Sequence, residues 1–243
     1  ETGTLASTIS MSGGVLDADE SSTVSGVLSH TDDITIDVAE TKTLTYSGTA
    51  ISLGANTLTL TGGGTLSNTN ALELNHADSL LTLDGTVTIE KASVNESSNI
   101  GKGLAINISS TISSLTVEAD TELNVVNGET FSGSTEIAAD KTLKLSGTGT
   151  FGSTIDLEGT LEAGANLTVS GLISVAGNSA AVSIPTAGTT LTYSGGDINV
   201  GAHTLAIGGA GTFSNAAGSP LVLDEADSIL SLTGNGTISG PVK

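Results

Sequence analysis

The chain has no cysteine, no tryptophan and no arginine, and only three prolines. Without cysteine, no disulfide staples the fold and thiol chemistry is excluded. Aromatics amount to three Phe and two Tyr in 243 residues. A β-sandwich of this size would carry a larger aromatic core. The apolar interior must therefore come from Leu, Ile, Val and Ala, which suit narrow, regular, layered cores. Cations are equally scarce: six lysines stand against 26 acidic residues, for a net charge of −20. That balance argues against nucleic acid or anionic membrane as partner, since both need a basic footprint. No apolar run approaches the ~18 residues of a spanning helix, so no membrane insertion is expected. The chain opens at Glu1 rather than Met, as expected of a mature or trimmed region. Absent Cys, scarce Lys and abundant Thr, Ser, Gly and Asn fit an extracellular or cell-surface protein.

What the chain does have is a repeat. The segment TLTYSGTAISLGANTLTLTGGGTLSN, 43–68, returns as TLTYSGGDINVGAHTLAIGGAGTFSN, 190–215, with 16 of 26 positions identical at an offset of 147. The flanks follow at offsets of 145 to 149: TVSG at 23–26 matches 168–171, and ADSLLTLDGTVTI from Ala77 matches ADSILSLTGNGTI from Ala226. Such drift belongs in loops, where chains tolerate length changes. The unit is about 147 residues, with one copy over 1–146 and a partial second over 147–243. Repeats of this kind point to a stacked, elongated architecture.

Within the unit, apolar and polar residues alternate. Thr57–Gly62 puts Leu58 and Leu60 on one side and three threonines on the other. Ile34–Val38 and Leu167–Gly171 do the same. Period two over four to six residues reads as half-buried strand, and Thr and Val suit the pleat. The strands end at Gly, Asn, Asp or Ser. Gly48, Gly54, Gly62, Gly64 and Gly85 recur as Gly195, Gly201, Gly209, Gly211 and Gly234, which marks backbone needing positive φ or close coil-to-coil approach. The matching Ala-Asp-Ser tripeptides assign a turn-capping role to Asp78 and Asp227. Tyr46 and Tyr193 are repeat mates and read as structural. Coils of ~22 residues, each of two or three strands, describe an all-β fold: one continuous parallel β-helix (β-solenoid) over 1–243, of about ten coils, right-handed by expectation. The polar stretch Glu90–Gly103 is expected to leave the stack.

The strings TLKLSGTGTFGSTIDLEGTLEAGANLTVSG and TLAIGGAGTFSN resemble passenger repeats of bacterial autotransporters and the β-helical repeats of filamentous-haemagglutinin-type adhesins. Thr142–Phe151 and Thr204–Phe213 carry the likeness. The resemblance implies a β-solenoid on a cell surface, used as stalk, fibre or adhesive surface. No translocator barrel is present in this sequence.

Catalysis finds little footing. Polysaccharide-acting β-helices need clustered carboxylates beside a strong cation, and here the six lysines are scattered and arginine is missing. No enzyme and no cofactor is expected, calcium apart. The calcium candidates are Asp17, Asp19 and Glu20; Asp32 and Asp33; and Asp224, Glu225 and Asp227, because clustered carboxylate oxygens are hard ligands. None matches an EF-hand loop or the Gly-rich nonapeptide calcium repeat. His30, His76 and His203 read as exposed turn residues. Thr-x-Thr pairs at 43/45, 57/59, 86/88 and 190/192 would suit ice if they stacked into a flat ladder. Variable coil length, and Ala206 in the place of Thr59, count against such a ladder. The sequence thus predicts a structural rod whose copies meet through their terminal coils. Its alternative is a secreted β-helix with a glycan- or ice-binding face.

Overall fold

The computed structural model describes residues 3–99 and 101–243. Among them lie 31 strands and no helix, and the strands pair in parallel. One turn illustrates the winding. Thr43–Tyr46 runs along a first face, Ile51–Ser52 along a second and Thr57–Gly62 along a third; Thr65–Asn68 then returns to pair with Thr43–Tyr46. Repeated along the chain, this builds a three-sided β-solenoid. One side is a path of twelve strands from Thr4–Leu5 to Thr237–Ser239, which we call the threonine face. Another is an eleven-stranded sheet, from Val15–Ala18 to Ile229–Gly234. The narrow third side is made of short strands and of the far halves of Thr88–Val94, Ser110–Val117 and Thr130–Ile137, which bend from the threonine face onto it.

Eleven rungs at about 4.8 Å make a rod of roughly 50 Å, close to the ten coils expected. Coil length varies: the step from Thr150 to its partner Thr168 is 18 residues, and from Thr212 to Thr237 is 25. The corners absorb the difference.

The alternation seen in the sequence is the alternation of burial. Leu58 and Leu60 have no exposure, while Thr57, Thr59 and Thr61 face outward, half-buried. Inward residues stack on inward residues of the next coil, as Ile36 on Leu60 and Leu60 on Leu83. A single apolar column results, and each fully covered Leu, Ile or Val contributes about 1.5–3 kcal/mol. Phe131 and Phe151 continue it at mid-rod, their ring centroids 5.2 Å apart.

The 147-residue repeat maps onto this geometry. Thr43–Tyr46 and Thr190–Tyr193 occupy the same face, seven rungs apart. Tyr46 is buried and its hydroxyl accepts the Leu28 N–H at 3.1 Å; Tyr193 does the same for Ile173 at 3.3 Å. Both phenols thus satisfy a backbone donor at the corner between the threonine face and the third side. The following glycines also match. A Cβ on Gly48 would fall 2.3 Å from the Gly26 carbonyl, and one on Gly195 would fall 1.9 Å from that of Gly171. Close coil-to-coil approach, not positive φ, fixes glycine there.

Two expectations change. Glu90–Val94 belongs to the strand Thr88–Val94, so the excursion proposed for 90–103 shrinks. Of its remainder, Ser98 N–H donates to Asp120 O at 3.0 Å and Asn99 N–H to Ala77 O at 2.8 Å, tying it to both neighbouring coils, while Ile100 lies outside the described residues. His30 ends the strand Leu28–His30, half-buried, with Nδ1 3.1 Å from the Asp32 carbonyl. It is not an exposed turn residue.

Candidate functional site: the threonine face

The outward positions of the threonine face form columns of hydroxyl residues, each spanning part of the rod; Glu90 follows the first and Gly152 the second. One runs Thr4, Thr23, Thr45, Ser67. Beside it runs Thr43, Thr65, Thr88, Thr111, Ser132. A third continues from Thr130 through Thr150, Thr168, Thr192 and Ser214 to Ser239, and a fourth joins Thr190, Thr212 and Thr237. Each residue is paired in register with the next, and all are half-buried or exposed. Where two columns run side by side, each rung presents Thr-x-Thr or Thr-x-Ser. These places include 43–46 over 65–68, and their repeat mates 190–193 over 212–215. The repeat therefore duplicates this face.

Rigidity comes from below. Leu44, Leu66, Ile89 and Ile112 lie directly under the second column, all buried. Threonine is β-branched and holds few χ1 states, so the hydroxyls and methyls are fixed relative to the ladder.

The face is also nearly free of charge. Among its described residues, only Glu90 and Lys91, both on Thr88–Val94, are ionic; Glu136 lies where its strand has turned onto the third side. Glu90 accepts a hydrogen bond from Ser67 Oγ at 2.9 Å. By contrast the eleven-stranded side carries Asp17, Asp37, Glu122, Lys144 and Glu162, and the third side Glu73, Glu136 and Asp156. In a chain of net charge −20, this segregation makes the threonine face the exceptional surface.

The structure therefore corrects the argument against a ladder. Thr59 and Ala206 stand on the eleven-stranded side, as does Thr57, so their mismatch does not interrupt the threonine face. Thr86 precedes its strand and Thr88 alone of that pair joins a column. Thr43/Thr45 and Thr190/Thr192 are the two pairs that belong. Sequence reasoning missed Thr65, Thr150, Thr168 and Thr212. Their signal was a Thr directly before a buried Leu, Phe or Val, often following a Gly-rich turn.

The calcium candidates are placed as follows. Asp17 lies on the eleven-stranded side in register with Asp37; Asp19 and Glu20 are exposed in the turn after it. Glu20 takes Lys42 at 2.8 Å, and that hydrogen bond and charge hold its carboxyl below the usual range. Asp33 accepts the Thr57 N–H at 2.6 Å, while the Asp32 carboxylate accepts from its neighbour Thr31 Oγ1 at 3.4 Å. Asp224, Glu225 and Asp227 are exposed in one turn. Among the described residues no three His, Asp or Glu side chains converge on a point. The turn-capping assigned to Asp78 and Asp227 falls instead to the next residue. Ser79 Oγ accepts the His76 N–H and Ser228 Oγ that of Glu225, both at 3.1 Å.

A shallow groove of about 280 Å³ lies beside Thr121–Val125, lined by Asn99, Asp120, Glu122, Lys144 and Glu162 among others. Its lysine and two of its carboxylates are already engaged. Lys144 bonds Glu122 at 3.2 Å and lies in register with Glu162, and Asp120 accepts the Thr142 N–H at 2.8 Å.

The chain matches no protein-family model, no curated protein and no solved structure.

Proposed function

We propose that the protein is a non-catalytic structural rod, a segment of an extracellular cell-surface fibre or adhesin whose copies add end to end. The observation that carries this reading is the parallel ladder of twelve strands, end to end over one apolar column. Such a ladder satisfies each coil's backbone with its neighbour and yields a stiff element from short strands. Both terminal rungs support addition. Leu5 and Leu232 point inward, in register with buried Val24 and Ile207, yet are 45% and 66% exposed. A further rung, whether of a second copy or of adjoining chain, would cover them, and a strand edge templates such pairing. Head-to-tail contact is heterologous and gives filaments when it does not close. The strong negative charge and the lack of cysteine support an extracellular setting. Calcium, tested below with a chelator, would act between acidic turns of adjoining coils or copies.

Negative-stain imaging of the purified chain, with and without a chelator, tests this. Filaments of the solenoid's width are the expected result, and loss of filaments in chelator would add calcium to the assembly. A monodisperse monomer with both terminal coils inert to growth sinks the end-to-end reading.

The threonine face favours a second reading, in which the rod presents a binding surface. Its uncharged, periodic columns are the supporting observation.

A further inference from the structure

We propose that the threonine face binds ice. This rests on the reading of that face as a binding surface and names its ligand.

The chemistry of the face excludes other partner classes one by one. Ionic ligands find little to pair with: among the described residues the face's only charges are Glu90 and Lys91, and these already bond Ser67 at 2.9 Å and the Thr69 carbonyl at 2.8 Å. Soluble sugars are held by aromatic platforms, and Tyr46, Tyr193, Phe131, Phe151 and Phe213 all lie buried inside the coil. A second protein copy wants a core of large apolar or aromatic side chains, and the outward columns supply none. What remains is a ligand that meets neutral hydroxyls and methyls on a fixed grid.

The grid is two-dimensional. Along the rod, hydroxyls recur once per rung at about 4.8 Å; across a rung, Thr43 and Thr45 stand about 6.7 Å apart. Repeat mates Thr190 and Thr192 present the same pair seven rungs on, in columns of their own. A ligand of a few sugar units would touch two or three rungs and leave the remaining repetition unused. A crystal surface uses every rung, and oxygen spacings on planes of hexagonal ice fall in the range of this grid. Threonine also suits water specifically. Its methyl leaves neighbouring water no partner but other water, which orders the first shell, while its hydroxyl both donates and accepts. Because buried neighbours and β-branching hold each side chain, little further ordering is needed when the ordered layer joins the ice.

The coil-length variation is consistent with this use. Steps range from 18 to 25 residues, yet each column stays in register over its own rungs, and the register shift between Ile112 and Leu115 falls where that strand bends onto the third side.

The test uses the full chain. Thermal hysteresis and the fraction of protein incorporated into slowly grown ice are measured for the parent, for Thr65→Tyr and Thr212→Tyr, and for Thr59→Tyr on the eleven-stranded side. Tyrosine is favoured in strands, and circular dichroism checks that each variant keeps its β signal. The parent is expected to show hysteresis and to enter ice. Thr65→Tyr and Thr212→Tyr should reduce both several-fold, and Thr59→Tyr should leave both unchanged. Equal effects of all three variants, or a folded parent rejected from ice, overturn the proposal. Two parallel measurements separate its failure from failure of the binding-surface reading. Retention on powdered cellulose or chitin that Thr65→Tyr abolishes would keep a binding face and replace ice with a crystalline glycan. A dimer in sedimentation velocity that Thr65→Tyr dissociates would replace it with a second copy. Inactivity in all three assays removes the binding surface altogether.

Discussion

Tyr193 is wholly covered, yet its one polar atom has a purpose, because the Ile173 N–H it accepts is equally buried. Removing the hydroxyl strands that donor. Tyr193→Phe should therefore destabilise the fold by about 1–3 kcal/mol, read as a lower urea midpoint at unchanged slope. The pH dependence has a definite sign. Burial raises the Tyr193 phenol, and the hydrogen bond from Ile173 opposes that rise in part. A raised folded value means the phenol's contribution is fully present below the unfolded value of about 10 and is lost as pH climbs through the folded value. The gap between parent and Tyr193→Phe should narrow when the titration is repeated at strongly alkaline pH. A gap that widens there would contradict the buried-donor account. The sequence showed that Tyr46 and Tyr193 were equivalent, but not what they did, because their partner lies on the preceding coil, 18 and 20 residues away.

At the scale of the strand, alternation and turn glycines made the parallel coil legible. Leu58, Leu60, Leu81 and Leu83 pointed inward as expected. The assignment of each strand to a side was not legible. Thr43-Leu-Thr and Thr57-Leu-Thr look alike, and only long-range register places one on the threonine face and the other on the eleven-stranded side. Coil length cannot supply that register, since it varies through the corners. The same non-local logic separates two other repeat mates. Asn68 donates to the Asn70 and Lys91 carbonyls at 2.9 and 2.7 Å and accepts from the Glu90 and Lys91 N–H groups, both at 3.2 Å. Asn215 donates to the Ser219 and Pro241 carbonyls, but its Oδ1 is buried without a donor. Asn68→Leu should thus cost more than Asn215→Leu, by about 1–3 kcal/mol. Thermal melts would resolve this, at about 2–4 °C per kcal/mol for a chain of this size. Equal losses would mean that the two accepted bonds add nothing.

The whole molecule is a one-dimensional stack, in which each rung touches only its neighbours, and its stability should divide accordingly. Mid-rod offers the place to test that. Phe131 and Phe151 are both fully or almost fully buried and pack on each other at the rungs between the two copies of the repeat. Phe131→Ala removes a large side chain from a column that no third layer can refill, a loss of about 3–5 kcal/mol. In a globular core that loss would lower one cooperative transition. In a stack it weakens an interface, so the segments on either side keep their own contacts and lose mainly their coupling. Hydrogen exchange on the variant should show protection falling in the strands from 110 to 157, while amides around Leu44–Tyr46 and Leu191–Tyr193 keep theirs. Denaturant unfolding should broaden or split, with a smaller apparent slope for each part. The charge of −20 works in the same direction, because each half repels the other along the rod. Added salt, which screens exposed charges, should therefore restore part of the lost coupling. A single sharp transition at every salt concentration, with protection lost uniformly from end to end, would show that the rod unfolds as one unit.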